Sequence, residues 1–526
     1  MALEEKLSNP ITSPRRMGRL VLLAVVVFLS LVAMEAAHVF LMRAQDDGCL
    51  YLQLPKNLVE KGRWAVERAD GLTDFDHKIA VGPATLLPIA LSFKFFGVCL
   101  LSARLVMFAW FLAMCVLAAA FAHRLAGPWA AVLALAGLWF TPELFLIATP
   151  AMGEVPGLVW TFAAGFFFVR WTKNEANCWF LVLAGLCAGL AYLSKSIFGY
   201  LFVPAWGLTW LVLGIRRGNL KWRELIAPLD GMAAVFVLYY MFIIREIGFS
   251  GALDYALSLR DFSHFAEGAR SFSLLFYKLK LVRDWIFLPM AAAGLIYWLA
   301  AALDKKVARG HKALPLLSLV LVWILWWFIA NPVNFYYHFF PAVVLMMVLC
   351  AAFSMKVAAA LWESPIASKG IRYATVALLL LVFFYPWGLV RGQFINLAAQ
   401  DRLRREQTEM VQFIEGLPRD DLISGWGIFH NWDFVFLTGR PTWSRPAEPT
   451  VPYREELLLM GPENIRLYDP QTMIPLSFNP HSRGCEEFVR DRCVILKQCG
   501  HFVLWRLKNA SAASQAASAP SAREAR

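Results

Sequence analysis

Two adjacent carboxylates, Asp46 and Asp47, follow the first long apolar segment of the sequence, which ends at Leu41. Ionisable side chains are costly to place at a membrane boundary, so we interpret this pair as a candidate functional site. A carboxylate can accept a proton from a hydroxyl or an amine and so act as a general base. The simpler alternative is a solvated pair of acids that only marks the end of a helix.

Further side chains with suitable chemistry are predicted to lie on the same face of the membrane as these acids. They are His77, Lys78, Glu154, Lys195, Arg270, Tyr337 and His338. Cations in such a site can hold a phosphate whose negative charge grows as it leaves. Two carboxylates together with several cations therefore indicate a site for an anionic lipid headgroup and a reacting hydroxyl or amine.

Each of these side chains also has a simpler interpretation. The two lysines can extend their charged ends from the apolar layer to water, and Glu154 can lie in a solvated turn. Tyr337 and His338 can belong to an aromatic belt at the membrane interface. The loop 245–284 has a basic face, which is either an interfacial charge belt or a contact for a phosphate headgroup. The basic residues of this loop include Arg260, Arg270, Lys278, Lys280 and Arg283.

The composition of the chain is that of an integral membrane protein. Of its 526 residues, 59% are hydrophobic and 17% are charged, whereas soluble domains have roughly 45–50% apolar and about 25% charged residues. The net charge of +12 is accounted for by lysine and arginine in cytoplasmic loops. No basic run interleaved with aromatic residues indicates a nucleic-acid partner, and the nine cysteines show no zinc-binding spacing.

Basic clusters alternate with apolar stretches along the chain and predict its topology. Lysine and arginine favour the cytoplasmic side, and a spanning helix needs roughly 20 apolar residues. A basic N-terminus keeps the start of an uncleaved first helix, about 19–41, inside, so that Asp46 emerges outside. The pattern predicts about eleven spans, the last at about 373–390, if the proline-containing segment 79–98 inserts only partly. Breaks between apolar segments are predicted at 149–157, 193–199 and 331–341.

Three regions of different composition follow from this pattern. Residues 1–394 are predicted to form the transmembrane domain, whose first outer loop covers about 43–103. Residues 395–508 are predicted to form a small extracytoplasmic α/β domain, and the Ala/Ser-rich tail 509–526 is predicted to be disordered. In the α/β domain the predicted helix is "REQTEMVQFIEGLP" and the predicted strands are "DLISGWGIF", "DFVFLTG" and "CVILKQCGHFVLWRL". One disulfide is expected among its three cysteines, Cys485, Cys493 and Cys499.

Five motifs occur in a defined order between about residues 15 and 395. They are "DDGCLYLQLPKNLVEKG", "DHKIAVGPATLLPIALSFKFFGVCLLSARL", "TPAMGEVPGLVW", "GLCAGLAYLSKSIFGYLFVPA" and "FYYHFFPAVV". In order and spacing they resemble the GT-C superfamily of glycosyltransferases, in its family 39 or protein-mannosyltransferase-like branch, which includes the aminoarabinose lipid A transferase. The resemblance implies a polytopic α-helical membrane protein with the GT-C fold, with about 11 transmembrane helices and additional juxtamembrane helices. The C-terminal region has no part in the resemblance.

The resemblance also implies roles for particular residues. Asp46 corresponds to the catalytic acid of the pair, and Lys78 corresponds to a contact with the donor phosphate. Glu154 stands at an acidic position of an outer loop. His264 lies in a loop where some members hold a metal ligand, so a divalent metal is left open as a cofactor; a solvated histidine is the alternative. Where members carry a double proline after the lysine, this sequence has "IAVGP".

The resemblance leads us to expect a membrane glycosyltransferase. It would move a sugar from a polyprenyl-phosphate donor to an extracytoplasmic lipid, glycan or protein, with inversion, in the bacterial inner membrane and with its active site on the outer side. A lipid-linked sugar transporter or flippase is one alternative, which predicts related halves with ionisable residues at mid-membrane. A non-catalytic envelope assembly protein is another, and it predicts that Asp46→Asn changes no activity. The sequence indicates no oligomeric state.

Overall fold

The computed structural model describes residues 14–68, 71–75, 79–141, 143–173, 175, 177–261, 278, 288–303, 310–330, 336–363, 387–418, 423–426, 432–440, 442–445, 457–460 and 493–507. The chain divides into two compact units. The helical unit contains Met1–Val39, His77–Phe95 and Leu101–Ile395. The mixed unit contains Phe40–Asp76, Phe96–Leu100 and Asn396–Arg526. The domain boundaries expected from composition stay predictions.

Helices dominate the described residues and short strands occur in two regions. In chain order the elements are α1 (Pro14–Leu41), α2 (Asp46–Lys61), β1 (Ala65–Arg68), β2 (Gly71–Asp74), α3 (Pro83–Phe96), α4 (Leu100–Ala126), α5 (Pro128–Trp139), α6 (Leu144–Ala148), α7 (Glu154–Trp171), α8 (Trp179–Ser194), α9 (Ser196–Arg217), α10 (Trp222–Asp261), α11 (Leu288–Leu303), α12 (Gly310–Leu325), a π-helical turn (Trp326–Ala330), a 3₁₀ turn (Tyr336–His338), α13 (Phe340–Glu363), α14 (Trp387–Glu415), β3 (Ile423–Trp426), α15 (Trp432–Thr438), β4 (Thr442–Arg445), β5 (Leu457–Met460), β6 (Cys493–Cys499) and β7 (Phe502–Leu507).

Six described helices are long and apolar enough to cross a membrane. They are Gly18–Leu41, Leu100–Ala126, Ser196–Arg217, Trp222–Tyr255, Lys312–Ile329 and Phe340–Trp362. Shorter apolar helices are Pro83–Phe96, Pro128–Trp139, Trp179–Ser194 and Ala292–Ala301. The predicted class, a polytopic α-helical membrane protein, is confirmed. The count of about eleven spans stays a prediction, and the predicted final span lies largely outside the described residues.

The segment 79–98 contains a short helix and not a full span. Helix α3 has 14 residues, which corresponds to about 21 Å of helix, whereas a span needs roughly 20 residues. Pro83 is its first residue, a position where the missing N–H of proline costs no helical hydrogen bond. The prediction that this segment does not cross completely agrees with the length of the helix.

The predicted breaks coincide with helix ends. The break at 149–157 follows directly on the end of α6 and contains the start of α7. Within the break at 193–199, Lys195 alone separates α8 from α9. At the third break, the 3₁₀ turn Tyr336–His338 leads into α13, while residues 331–335 lie outside the described part of the chain. Irregular backbone of this kind is tolerated near a membrane where it is buried in protein or lines a cavity.

Apolar packing fixes the helices on both sides of the second break. Helix α8 packs along α7 and α10, and α9 packs along α12. Phe168, Trp171 and Trp206 belong to one buried cluster with residues of α8 and α12. The indole N–H of Trp206 donates to the carbonyl of Glu224 at 3.2 Å, which satisfies a polar group that would otherwise be unpaired in an apolar core.

The mixed unit contains a small hairpin and a larger sheet. Strands β1 and β2 pair antiparallel. The larger sheet has the order β4-β3-β5-β7-β6, in which β3 runs parallel to β4 and β5, and β7 runs antiparallel to β5 and β6. Helix α14 contributes Met410 and Ile414 to a buried cluster that also contains Phe434 of α15 and Phe502 of β7. This cluster ties the helices of the mixed unit to its sheet.

The segment "DFVFLTG" forms a helix, so the prediction of a strand was wrong. Its residues lie in α15, where Trp432, Asp433, Phe434, Val435 and Phe436 are all buried. A short apolar run cannot by its pattern be assigned to a buried strand or a buried helix, and here burial on every side suits a helix. The other two predicted strand segments contain β3 and the β6–β7 hairpin.

The disulfide expected among three cysteines stays a prediction. Cys499, at the end of β6, is buried and has a free thiol. Cys485 and the side chain of Cys493 lie outside the described residues. A bridge between those two would leave Cys499 as the unpaired thiol.

Candidate active site

Lys195 is an extended residue between two helices. Its φ of −154° and ψ of 126° interrupt the helical backbone, and it forms an antiparallel bridge with Val81. The amide of Ser196 donates to the carbonyl of Ala80 at 3.3 Å. This bond provides a partner for a backbone group at the start of α9, where the helix itself offers none. The chain segment that leads into α3 therefore holds the break in place.

Two glycines permit the close approach of three segments around Lys195. The amide of Gly82 donates to the carbonyl of Ser194 at 3.2 Å, and a Cβ atom on Gly82 would overlap the carbonyl oxygen of Leu193. A Cβ on Gly153 would overlap the carbonyl oxygen of Ser194 and lie 2.8 Å from Cβ of Lys195. Glycine is required at both positions because a side chain has no room between these backbones. The segment before α3, the start of α7 and the α8–α9 break thus meet.

Lys195 and Glu154 form a buried ion pair. The Nζ atom of Lys195 contacts Oε1 of Glu154, and the two side chains are 4% and 1% exposed. Glu154 is the first residue of α7, where the positive end of the helix dipole favours a carboxylate. Its second oxygen, Oε2, has no hydrogen-bond partner among the described residues. The Nζ atom of Lys195 lies 4.8 Å from the ring centroid of Tyr337, within range of a cation–π interaction.

A second lysine acts on the same region of the helical unit. Burial, followed by the charges of Lys195 and Lys278, holds the pKa of the His338 imidazole well below 6.5. Because its pKa is lowered, the imidazole is neutral at physiological pH. His338 itself lies in the 3₁₀ turn between two spanning helices. Lys278 is buried, donates to the carbonyl of Trp327 at 2.5 Å and has its Nζ atom 5.2 Å from the centroid of that indole. The region therefore offers ammonium groups and aromatic rings to an anionic ligand.

Asp46 and Asp47 begin helix α2. Gln45 precedes them in an extended conformation, with φ of −104° and ψ of 142°, and its carbonyl accepts a hydrogen bond from the amide of Cys49 at 2.9 Å. Asp47 is exposed, and the side chain of Asp46 lies outside the described part of the structure. Carboxylates in the first turn of a helix are stabilised in their ionised form by the helix dipole. The position suits a proton acceptor, and it also fits acids that only start a helix.

The predicted site residues fall into three groups. Glu154, Lys195, Tyr337 and His338 belong to the helical unit, where the ammonium of Lys195 acts on each of the other three. Asp46 and Asp47 belong to the mixed unit. The remaining four lie outside the described residues, and they are His77, Lys78, His264 and Arg270. Within the described ranges, no group of three or more His, Cys, Asp and Glu is placed to hold a metal ion.

Three residues of this region were absent from the predicted set. Lys278 carried a signal, because it belongs to the predicted loop 245–284, which has a basic face. Gly82 carried a weaker signal, since it stands in "IAVGP", where the family pattern has a double proline. Nothing local marked Gly153, because the need for glycine arises from contact with a break that lies 41 residues further along the chain.

Part of this chain matches a known family model, and its fold is similar to that of solved structures. Residues 80–244, which contain Gly82, Glu154 and Lys195, match the family model described as dolichyl-phosphate-mannose-protein mannosyltransferase. A comparison with curated protein sequences found no match. The crystal structure of ArnT from Cupriavidus metallidurans in the apo state is similar with a TM-score of 0.59, at 15% identity, over 93% of this chain and 98% of that chain. The chain adopts the GT-C fold.

Two further solved structures with this fold contain a lipid phosphate. ArnT from Cupriavidus metallidurans bound to undecaprenyl phosphate is similar with a TM-score of 0.57, at 15% identity, over 91% of this chain and 97% of that chain. The archaeal oligosaccharyltransferase AglB from Archaeoglobus fulgidus, in complex with an inhibitory peptide and a dolichol-phosphate, gives a TM-score of 0.50 at 11% identity, over 86% and 72%. The predicted resemblance to the GT-C superfamily is confirmed. At these identities the likeness establishes the fold.

Proposed function

We propose that this protein is a glycosyltransferase of the bacterial inner membrane, which transfers a sugar from a polyprenyl-phosphate donor to an acceptor on the outer face. One observation carries the proposal. In a GT-C fold, a buried Lys195–Glu154 pair with the Tyr337 ring beside it lies at a break between two apolar helices. Ionisable groups buried between apolar helices are costly, which favours a functional role. Two similar structures hold undecaprenyl phosphate and dolichol-phosphate.

Lys195 would hold the phosphate of the donor. An ammonium group has three N–H donors, and Glu154 is the one hydrogen-bond acceptor of Lys195 in the described part of the chain. Negative charge that develops on the departing phosphate is stabilised by a cation that is already in place. Glu154 would orient this ammonium and Tyr337 would cover it. Further contacts with the phosphate or the sugar of the donor are proposed for His77, Lys78, Arg270 and His338.

Asp46 would act as the general base. It would take a proton from a hydroxyl or an amine of the acceptor while that oxygen or nitrogen forms a bond to the anomeric carbon of the sugar. The bond between this carbon and the phosphate oxygen breaks, and the electron pair stays on the lipid phosphate. Attack opposite the phosphate inverts the configuration of the anomeric carbon. Asp47, in the same helical turn, is the alternative base. The acceptor is a lipid, a glycan or a protein.

The test is transfer of radiolabelled sugar from a panel of undecaprenyl-phosphate sugars into membranes that contain the protein. We expect Asp46→Asn to lower transfer by at least about 100-fold at matched expression, as expected for loss of a general base. Glu60→Gln is the matched control, because Glu60 is an exposed acid in the same helix, and it should leave transfer unchanged. A parallel sample with a chelator shows whether a divalent metal, with His264 as a candidate ligand, takes part.

The alternatives predict different outcomes of the same experiment. A transporter or flippase would move the labelled lipid across the bilayer without forming a new glycosidic bond. An assembly protein would give no transfer with any donor of the panel. Full transfer by both Asp46→Asn and Asp47→Asn would exclude this acid pair as the base.

A further inference from the structure

Three of the four residues between α1 and α2 are buried although they form no helix or strand. Residues 42–45 follow the end of α1 and lead directly to Asp46, and Met42 and Ala44 are 1% and 2% exposed. Buried backbone groups need hydrogen-bond partners, and a segment without regular structure has to find them elsewhere. Inside the mixed unit, the side chain of Gln407 pairs with both the N–H and the carbonyl of Ala44. Nη1 of Arg43 also donates to this carbonyl, at 3.4 Å.

Gln407 of α14 pairs with the backbone of Ala44 in both directions. The amide N–H of Ala44 donates to Oε1 of Gln407 at 2.9 Å, and Nε2 of Gln407 donates to the carbonyl of Ala44 at 3.2 Å. A side-chain amide used in this way replaces a neighbouring β-strand. Gln407 is 2% exposed, so water does not compete for these bonds.

Asp433 of α15 fixes the orientation of this amide. Nε2 of Gln407 donates its second hydrogen to Oδ2 of Asp433 at 2.6 Å, and Oδ1 of Asp433 accepts from the amide of Phe434 at 3.0 Å. If the amide were rotated by half a turn, its oxygen would face the carboxylate and the Ala44 carbonyl. The network therefore allows one orientation of Gln407, and it is the orientation that binds Ala44.

The consequence concerns the acids at the start of α2. We infer that Gln407 is a positioning residue, which fixes Ala44 and thereby the first turn of α2 that carries Asp46 and Asp47. Helix α2 also packs against α15, so α14 and α15 together determine where this turn lies in the mixed unit. The inference deepens the proposed function and rests on the role proposed for Asp46. It gives α14 and α15 a part in holding the helical turn that carries this acid.

The two hydrogen bonds between Gln407 and Ala44 are called the clamp below. Loss of this clamp should slow the reaction more than it weakens binding of the donor. Gln407→Glu places oxygen atoms against the Ala44 carbonyl and Asp433, so the contact breaks while the size of the side chain is kept. A displacement of about 1 Å in a catalytic group can cost on the order of 100-fold in rate. We expect kcat for transfer to fall about 10- to 100-fold, with a much smaller change in the KM of the donor.

The matched control is Gln412→Glu, the same change at an exposed position of the same helix; it should leave kcat and KM as in the wild type. Gln407→Met is a second, uncharged variant in case Gln407→Glu does not fold. In the Asp46→Asn background, Gln407→Glu should cause no further loss, because a residue that acts through Asp46 has nothing left to position. If Gln407→Glu lowers transfer by the same factor in the Asp46→Asn background as in the wild-type background, the link between Gln407 and Asp46 is overturned.

Hydrogen–deuterium exchange of the full-length protein in detergent tests the clamp without reference to activity. We expect amides in the peptide 42–50 to exchange on the order of tenfold faster in Gln407→Glu or Gln407→Met than in Gln412→Glu. Unchanged exchange would overturn the inference. If exchange is faster but Asp46→Asn transfers sugar as well as the wild type, Gln407 holds Ala44 as inferred. Asp46 is then not the base, and Gln407 has no catalytic role through it.

Discussion

Replacing Lys195 by methionine removes one charge of a buried ion pair and leaves the Glu154 carboxylate without its partner. Methionine keeps most of the apolar stem of lysine, so the packing around the break changes little. Both side chains are almost completely buried, and removal of one partner from such a pair costs about 3–5 kcal/mol because the remaining charge is uncompensated. We expect the free energy of unfolding of Lys195→Met to fall by about this amount.

The double variant Lys195→Met/Glu154→Met separates stability from function. It removes both charges, and replacement of a buried ion pair by hydrophobic side chains of similar volume is often neutral or stabilising. The double variant should therefore recover most of the stability lost in the single variant. Sugar transfer should stay lost in both, because neither has an ammonium group to hold the donor phosphate.

The measurements are chemical unfolding of purified protein in mild detergent and transfer from the labelled donor. Lys94→Met, at an exposed position of α3, is the control and should change neither quantity. A single variant as stable as the wild type, or a double variant no more stable than the single one, would contradict the expected cost of breaking the buried pair. Full transfer by the double variant would refute the assigned role of Lys195.

Two other substitutions test the geometry of each unit. Gly153→Ala should lower transfer on the order of tenfold or more, because the added Cβ would overlap the carbonyl oxygen of Ser194. Gly207→Ala is the control and should leave transfer unchanged, because its Cβ would meet nothing within 4 Å. Equal effects of the two substitutions would contradict the close approach of Gly153 to Ser194. Burial raises the pKa of Asp433 from 3.8 to about 6, so the folded protein binds the proton of this carboxyl group more tightly than the unfolded chain does. The free energy of unfolding should therefore fall by about 3 kcal/mol as the pH rises from about 4 to about 6. Unfolding of the wild type and Asp433→Asn at several pH values should show a stability difference that changes across this window, and a constant difference would contradict the shift.

The membrane class, the positions of the helix breaks and the short helix α3 were predictable because each has a local cause. Long apolar runs predict spans, and basic clusters predict which ends share a side. Pro83 marks the start of a short helix. A lysine inside an apolar segment, as at Lys195, marks a place where the chain meets something other than lipid. Each of these signals lies within about 20 residues of the feature that it predicts.

The contacts of these features were not predictable because they join distant segments. The sequence near Lys195 does not reveal that its backbone pairs with Val81 or that its ammonium meets Glu154. The clamp on Ala44 comes from Gln407, which is 363 residues further along the chain. The assignment of "DFVFLTG" to a strand failed for the same reason, because the surroundings of α15 and not its own pattern decide between strand and helix.

Stability alone does not account for the charges at the break between α8 and α9, since apolar side chains of similar size would serve the fold as well. Oε2 of Glu154 has no partner among the described residues, and the ammonium of Lys195 has N–H donors beyond the one that Glu154 accepts. A phosphate oxygen can accept from this ammonium, and a sugar hydroxyl can donate to the free carboxylate oxygen. A bound lipid-phosphate sugar would thus provide hydrogen-bond partners for the ammonium of Lys195 and the carboxylate of Glu154. The free energy gained when these buried groups find partners would favour binding of the phosphate and the sugar, which are the two groups that the proposed reaction separates.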